Sequence, residues 1–180
     1  MAVFISLLRG INVGGKRSLK MRDLEELYHS LGFEAVKSYL QSGNLVFRAA
    51  AGPAGLGGKI GKAIEQKAGL EVEVLVLSAA ELKKIAKENP FVGQPGVDEG
   101  KLHVTFFSVD PGENAVRTVA RIDAGPDRFA IKGKAAYLYC PGGYGRTKLS
   151  NTFFENKLKL KATTRNWRTV LALVDMVGSD

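Results

Sequence analysis

Residues 36–48, VKSYLQSGNLVFR, hold two short strand-like runs, Val36–Leu40 and Asn44–Arg48, around Gln41-Ser42-Gly43. Such a break between two apolar runs is a hairpin turn, and a hairpin makes its strands antiparallel. The stretch therefore argues against the all-parallel sheet of a doubly wound fold. Its flanks complete the pattern. Upstream, Ala2–Leu8 (AVFISLL) is a continuous apolar run suited to a buried strand. Met21, Leu24, Leu27, Tyr28 and Leu31 then recur at spacings of three and four, with acids at positions 23, 25 and 26 and Gly32 behind them, as in a helix. Downstream, Pro53 opens a weaker helix with Leu56, Ile60 and Ile64 on one face. Its interior glycines, at about 1 kcal/mol each relative to Ala, predict frayed first turns. Glu71–Leu77 reads as a strand. The order β-α-β-β-α-β is the ferredoxin-like split βαβ arrangement.

The second half repeats much of this. Ser78-Ala-Ala-Glu81 is a capping box for a helix through Lys87, stopped by Asn89-Pro90 and followed by a linker-like loop over 90–100. Lys101–Ser108 predicts a strand, and Asp110-Pro111 a helix capped by Asp110. Arg128–Ile131 and Ala135–Tyr139 form a hairpin around Lys132-Gly133-Lys134. Thr147 begins a helix carrying Leu149, Phe153 and Phe154. Thr163-Thr164 supplies the N-cap of a last helix from about Asn166 to Val177, with Trp167, Val170, Leu171 and Val174 on one stripe. The expected fold is α+β: two ferredoxin-like lobes, each an antiparallel sheet covered by helices. A helix stands where the second lobe's last strand would be. The lobes are expected at residues 1–78 and 79–180.

The 180 residues include 26 Lys or Arg against 18 Asp or Glu, a net charge of +8. Residues 132–168 hold nine basic side chains and one acid, Glu155, so this segment carries the whole excess. Arg9–Arg22 holds five more basic residues and no acid. Concentrated positive charge suits phosphate, nucleic acid or an acidic substrate. The single Cys140 excludes an internal disulfide, and with only His29 and His103 the chain offers no metal centre and calls for no cofactor. Met1–Leu8 lacks a basic n-region and ends at Arg9, far short of a membrane span, so the expected location is the cytoplasm, with no membrane partner.

Gly10-Ile-Asn-Val-Gly14-Gly15-Lys16 matches the first seven positions of the phosphate-binding G-x-x-x-x-G-K loop. The eighth position, which should be Ser or Thr to hold magnesium, is Arg17, and the next helix starts later, near Met21. The expectation is anion binding without nucleotide hydrolysis. Leu7–Lys16, Tyr39–Asn44 and Thr163–Val170 together make the chain resemble the bacterial family catalogued as domain of unknown function 1697. That resemblance implies paired ferredoxin-like lobes and brings no activity. Lys20 departs from it, since relatives often carry proline there, which affects helix initiation.

The motifs share Arg, Asn, Gln, Ser or Lys beside glycine or at a turn. The expected ligand set is Arg9, Asn12, Gly14, Gly15, Lys16, Gln41, Ser42, Asn44, Arg165 and Asn166, around a small anionic or phosphorylated ligand held between the lobes. Gly145, Arg146, Thr147 and Lys148, a glycine-rich turn feeding a helix, form a second anion nest. Structural roles compete at several positions. Ser42 and Asn44 can cap a turn, and Arg165 can pack on Trp167. No base accompanies Ser42 or Cys140, so an enzyme acting on a phosphorylated or carboxylated metabolite stays open without catalytic residues. Nucleic-acid binding is a further alternative, resting on charge and on the RNA-binding use of such sheets, although the aromatic signature of RNA-binding sheets is absent. Homodimer formation through a sheet edge or face is the last.

Overall fold

The computed structural model describes residues 1–178. The chain divides into two compact units, residues 1–84 with the C-terminal stretch from Leu173, and Ile85–Ala172. In the first unit, β1 (Ala2–Leu8), β2 (Glu34–Tyr39), β3 (Asn44–Ala49) and β4 (Val74–Ser78) form an antiparallel sheet in the order β2-β3-β1-β4. That is the ferredoxin-like order. Helices α1 (Met21–Ser30) and α2 (Leu56–Ala68) bury Leu24, Leu27, Tyr28, Ile60 and Ile64 against Phe4, Leu8, Leu45 and Phe47 of the sheet. Aromatic rings fill the centre, with Phe33 stacked on Phe47 at 4.7 Å and the Tyr28 ring edge-on to Phe47 at 5.3 Å. The Tyr28 hydroxyl is matched to the Ser6 hydroxyl at 2.7 Å, so both buried hydroxyls are satisfied.

Helix α2 begins at Leu56 rather than at Pro53, and its glycines have a use that composition hides. A Cβ on Gly57 would stand 2.4 Å from the Val74 carbonyl oxygen, and one on Gly61 would stand 3.1 Å from that of Val72. The cost in helix propensity is offset by the close approach of α2 to the edge of the sheet. Strand β4 correspondingly starts at Val74, three residues later than the apolar pattern suggests. Helix α1 starts after Lys20, which is extended and makes no side-chain cap.

Helix α3 (Ala79–Lys87) opens on the expected capping box: the Ser78 amide donates to Glu81 at 2.8 Å and the Glu81 amide to the Ser78 hydroxyl at 3.1 Å. The following loop is packed rather than linker-like. Phe91 is buried beneath the Arg128 guanidinium, and Arg128 also donates to Gln94. The second sheet contains β5 (Leu102–Phe107), β6 (Arg128–Lys132), β7 (Ala135–Tyr139) and β8 (Ala162–Asn166) in the order β6-β7-β5-β8. It is covered by α4 (Glu113–Ala120) and α5 (Asn151–Leu158), and α6 (Trp167–Gly178) ends the described chain.

Three expectations are corrected here. Thr163 and Thr164 do not cap a helix; they lie in β8, paired antiparallel with Phe106 and Thr105, so the second sheet is complete. Asp110 is not the N-cap of α4: its carboxylate accepts from the Gly112 amide at 2.8 Å, and the helix begins at Glu113. Thr147 does not start α5 either. A single 3₁₀ turn occupies Tyr144–Arg146, and Ser150 caps α5 by accepting from the Phe153 amide.

Candidate functional site

In the first unit, the glycine-rich segment after β1 closes on itself. Val13 and Lys16 form a β-bridge, the Asn12 amide donates to the Arg17 carbonyl, and Gly14 and Gly15 form the two-residue tip at φ 61° and 73°. Positive φ at both tip residues is the requirement of a type I′ hairpin, which is why two glycines stand there. The segment is therefore a small hairpin rather than a phosphate loop, and no helix follows until Met21.

Asn12 fixes this hairpin in place. Its side-chain amide donates to the carbonyls of Leu19 (2.8 Å) and Gln41 (2.7 Å), and its oxygen accepts from the Leu19 amide (2.7 Å). Both amide hydrogens are thus committed to the protein's own backbone. The bond to Gln41 joins the first motif to the second, and the Leu8 amide adds a bond to the Gly43 carbonyl. Asn44 is fully buried and donates to the Tyr39 carbonyl and the Ser42 hydroxyl, a turn-capping role. Gln41 and Ser42 are exposed at this turn.

The residues at either end of the glycine-rich segment, with those preceding β4, line a pocket of about 360 Å³: Arg9, Gly10, Arg17, Glu71 and Glu73. Arg17 donates from its guanidinium to the Glu71 carbonyl, and the Arg9 amide donates to the Glu73 carbonyl at 3.0 Å. The extended segment before β4 thus forms the second wall. Lys16 is exposed on the neighbouring hairpin. Of the five lining residues only Arg9 belongs to the expected ligand set, and Gly10 entered only as the first glycine of the loop pattern. Arg17 stands out only as the residue that spoils the phosphate-loop pattern, and Glu71 and Glu73 only as alternate residues of an extended run, which point to the same side.

Arg165 and Asn166 belong to the second unit. Arg165 is a half-buried residue of β8 opposite Val104. Its guanidinium donates to the Thr164 carbonyl at 3.0 Å, and burial pulls its pKa down to about 10. Asn166 caps α6, accepting from the Thr169 amide at 2.9 Å. In the supposed second nest, Thr147 donates to Asp127 at 2.6 Å and accepts from the Leu149 amide, so its hydroxyl is occupied locally, while Gly145, Arg146 and Lys148 are exposed. The next α-helix, α5, starts beyond this turn, at Asn151.

Cys140 is buried, and desolvation raises its thiol pKa. His103 stacks on Tyr144 at 4.7 Å, and burial lowers its pKa. Among the described residues no group of three or more His, Cys, Asp or Glu could hold a metal ion, and no helix is long and apolar enough to cross a membrane.

The family model described as "Protein of unknown function (DUF1697)" matches residues 1–137. The chain belongs to this family. The match covers the hairpin, the Gln41 turn and both walls of the pocket, whereas Thr163–Val170 lies beyond it. No curated protein matches the chain. Among solved structures, the conserved bacterial protein SP0830 from Streptococcus pneumoniae is similar, with a TM-score of 0.76 and 22% identity over 98% of both chains. At that identity the likeness concerns the fold, and it extends over both units of this DUF1697 chain.

Proposed function

We propose that this DUF1697 protein binds a small anionic ligand, of the phosphate type, in the first-unit pocket beside Arg9 and Arg17. The observation that carries this reading is the meeting of two guanidinium-bearing residues with a fixed glycine hairpin at one cavity. Guanidinium groups are suited to phosphate and carboxylate because their forked donors match two oxygens at once. Lys16 adds an exposed positive charge on the same hairpin. Support also comes from what Asn12 does. It ties the hairpin to the Gln41 turn, and a preorganised site loses less entropy on binding.

Two aromatics of the second sheet weigh against the nucleic-acid alternative, while Tyr139 of the same sheet is half-buried. Phe106 and Tyr137 are completely buried, and Tyr137 donates its hydroxyl to the Ile85 carbonyl. Titration calorimetry with inorganic phosphate tests the proposal. Wild-type protein is expected to bind, and Arg17→Gln, at an exposed position, is expected to lose about tenfold in affinity with little change in Tm. Equal affinities in the two proteins would overturn the placement.

A further inference from the structure

We infer that the outer edge of β6 is a docking site for an extended acidic segment of another protein, which joins the second sheet as a fifth strand. This site is separate from the first-unit pocket and does not depend on the anion reading. Strand β6 ends its sheet, and its ladder to β7 runs unbroken from Arg128 opposite Tyr139 to Lys132 opposite Ala135. At the two ends of β7 the Phe107 amide donates to the Lys134 carbonyl and the Cys140 amide to the Lys101 carbonyl. By alternation, Ala136 and Leu138 turn their backbone groups to β5, and the residues between them turn to β6. Arg128, Ala130 and Lys132 therefore bond β7, while Phe129 and Ile131 aim their N–H and C=O groups outward. Among the described residues nothing pairs with those outward groups.

The remaining sheet edges are guarded. Strand β2 has a register shift between Glu34 and Lys37, Ala35 sits at φ +49°, and the Ser38 amide donates to the Glu25 carboxylate at 2.9 Å. Beside β4, helix α2 comes so near that a Cβ on Gly57 would stand 2.4 Å from the Val74 carbonyl oxygen. At β8 the Ala162 amide donates to Glu155. Folds distort or cover free edges because such edges template pairing with another chain. Strand β6 has neither bulge nor proline. Charge selects its occupant. Arg128 and Lys132 stand exposed at the two ends of the strand on one face, and each bonds a neutral oxygen, of Gln94 and of the Glu88 backbone. A second copy pairing antiparallel about Ala130 would set Arg128 against Lys132 at both ends, and like charges directly opposite are destabilising. A strand with Glu or Asp at those positions meets both cations, while its backbone bonds Phe129 and Ile131.

The probe is the synthetic peptide acetyl-Glu-Val-Thr-Val-Glu-amide, with acetyl-Lys-Val-Thr-Val-Lys-amide as control, followed by amide NMR and hydrogen exchange on the whole protein. In free protein the Phe129 and Ile131 amides are expected to exchange at least about tenfold faster than that of Ala130, and saturating acidic peptide is expected to slow them. The lysine peptide is expected to bind about tenfold more weakly, and Lys132→Glu to narrow or reverse that preference. Ile131→Pro removes one outward donor without touching the ladder to β7, and is expected to abolish binding. Lys132→Glu, at an exposed position, supplies the mutational test should the proline variant fail to fold. Slow exchange of Phe129 and Ile131 in dilute free protein would show the edge already covered and overturn the site. Absence of saturable binding by the acidic peptide, or binding that leaves those two amides unprotected, would do the same. Equal binding of the two peptides would overturn the acidic assignment. Protection that grows with protein concentration alone, together with a dimer in sedimentation, would overturn it in favour of a second copy.

Discussion

The two units share one sheet order and spend their polar turns differently. In the first unit the turn after β1 reaches across to a second turn, at Gln41, and leaves a pocket beside it. In the second unit the glycine-rich turn over 142–147 is consumed locally, with Thr147 bonded to Asp127 and Ser150 capping α5. Yet the second unit carries the segment that holds the whole excess of positive charge. The difference teaches that positive charge density and a cavity walled by fixed backbone need not coincide. Exposed lysines and arginines solvate a surface, whereas a small-ligand site needs backbone fixed around a cavity.

The largest expected effect sets Gly43 against Gly145. A Cβ at Gly43 would lie 2.7 Å from the Leu8 Cβ and 2.8 Å from the Ile11 Cδ1, at a φ of +81°, whereas one at Gly145 meets nothing within 4 Å. Gly43→Ala is expected to cost about 3 kcal/mol in urea unfolding, and Gly145→Ala about 0.5 kcal/mol or less. Similar costs would erase the contrast between a turn packed against its unit and a turn exposed on it. Next come the two asparagines. Asn12→Ala removes three hydrogen bonds and leaves backbone groups unsatisfied, an expected loss of about 2–3 kcal/mol, whereas Asn166→Ala removes one helix cap, for about 1 kcal/mol.

Each unit also contains a tyrosine whose pKa is raised above 10.0, chiefly by burial, Tyr28 in the first and Tyr137 in the second. Both phenols stay protonated in the fold while the unfolded chain ionises near pH 10, so stability is full below that pH and falls as pH rises above it. Unfolding free energies measured from pH 8 to 11 should show this decline. Phe at either position should flatten it in part, with an unequal response if one unit unfolds before the other. The smallest effect belongs to the second unit alone. His103 has its pKa lowered by burial, with only partial opposition from the Lys101 carbonyl. Stability is therefore expected to fall slightly as pH drops below the ordinary histidine value near 6.5, and His103→Phe, which keeps a ring against Tyr144, should remove that dependence.

Much of the fold was legible because periodicity and turn chemistry are local. The hairpin over 36–48, the capping box at Ser78 and Glu81, and the helix of Met21–Ser30 all lie where residue spacing puts them. Strand β8 was misread because threonine is at once β-branched and a helix cap, and the stripe of Trp167 and Val170 begins directly behind it. The glycines of α2 looked like weaknesses because their reason, the Val74 carbonyl, lies in another element. The candidate site was half legible. Arg9 and the glycine hairpin stand in one motif, but Arg17 meets Glu71 across 54 residues, and no spacing rule spans such a distance. Asn44 was legible as a turn cap, as its bonds to the Tyr39 carbonyl and the Ser42 hydroxyl show, whereas Asn12 was visible only as a polar turn residue.

The most direct measurement is amide NMR of the isotopically labelled protein during titration with inorganic phosphate. Saturable shifts are expected at Gly10–Arg17 and at Glu71 and Glu73, with the amides of 142–148 and Thr163–Arg168 unmoved. Shifts confined to those second-unit segments, with the hairpin silent, would contradict the placement of the site and return it to the basic surface.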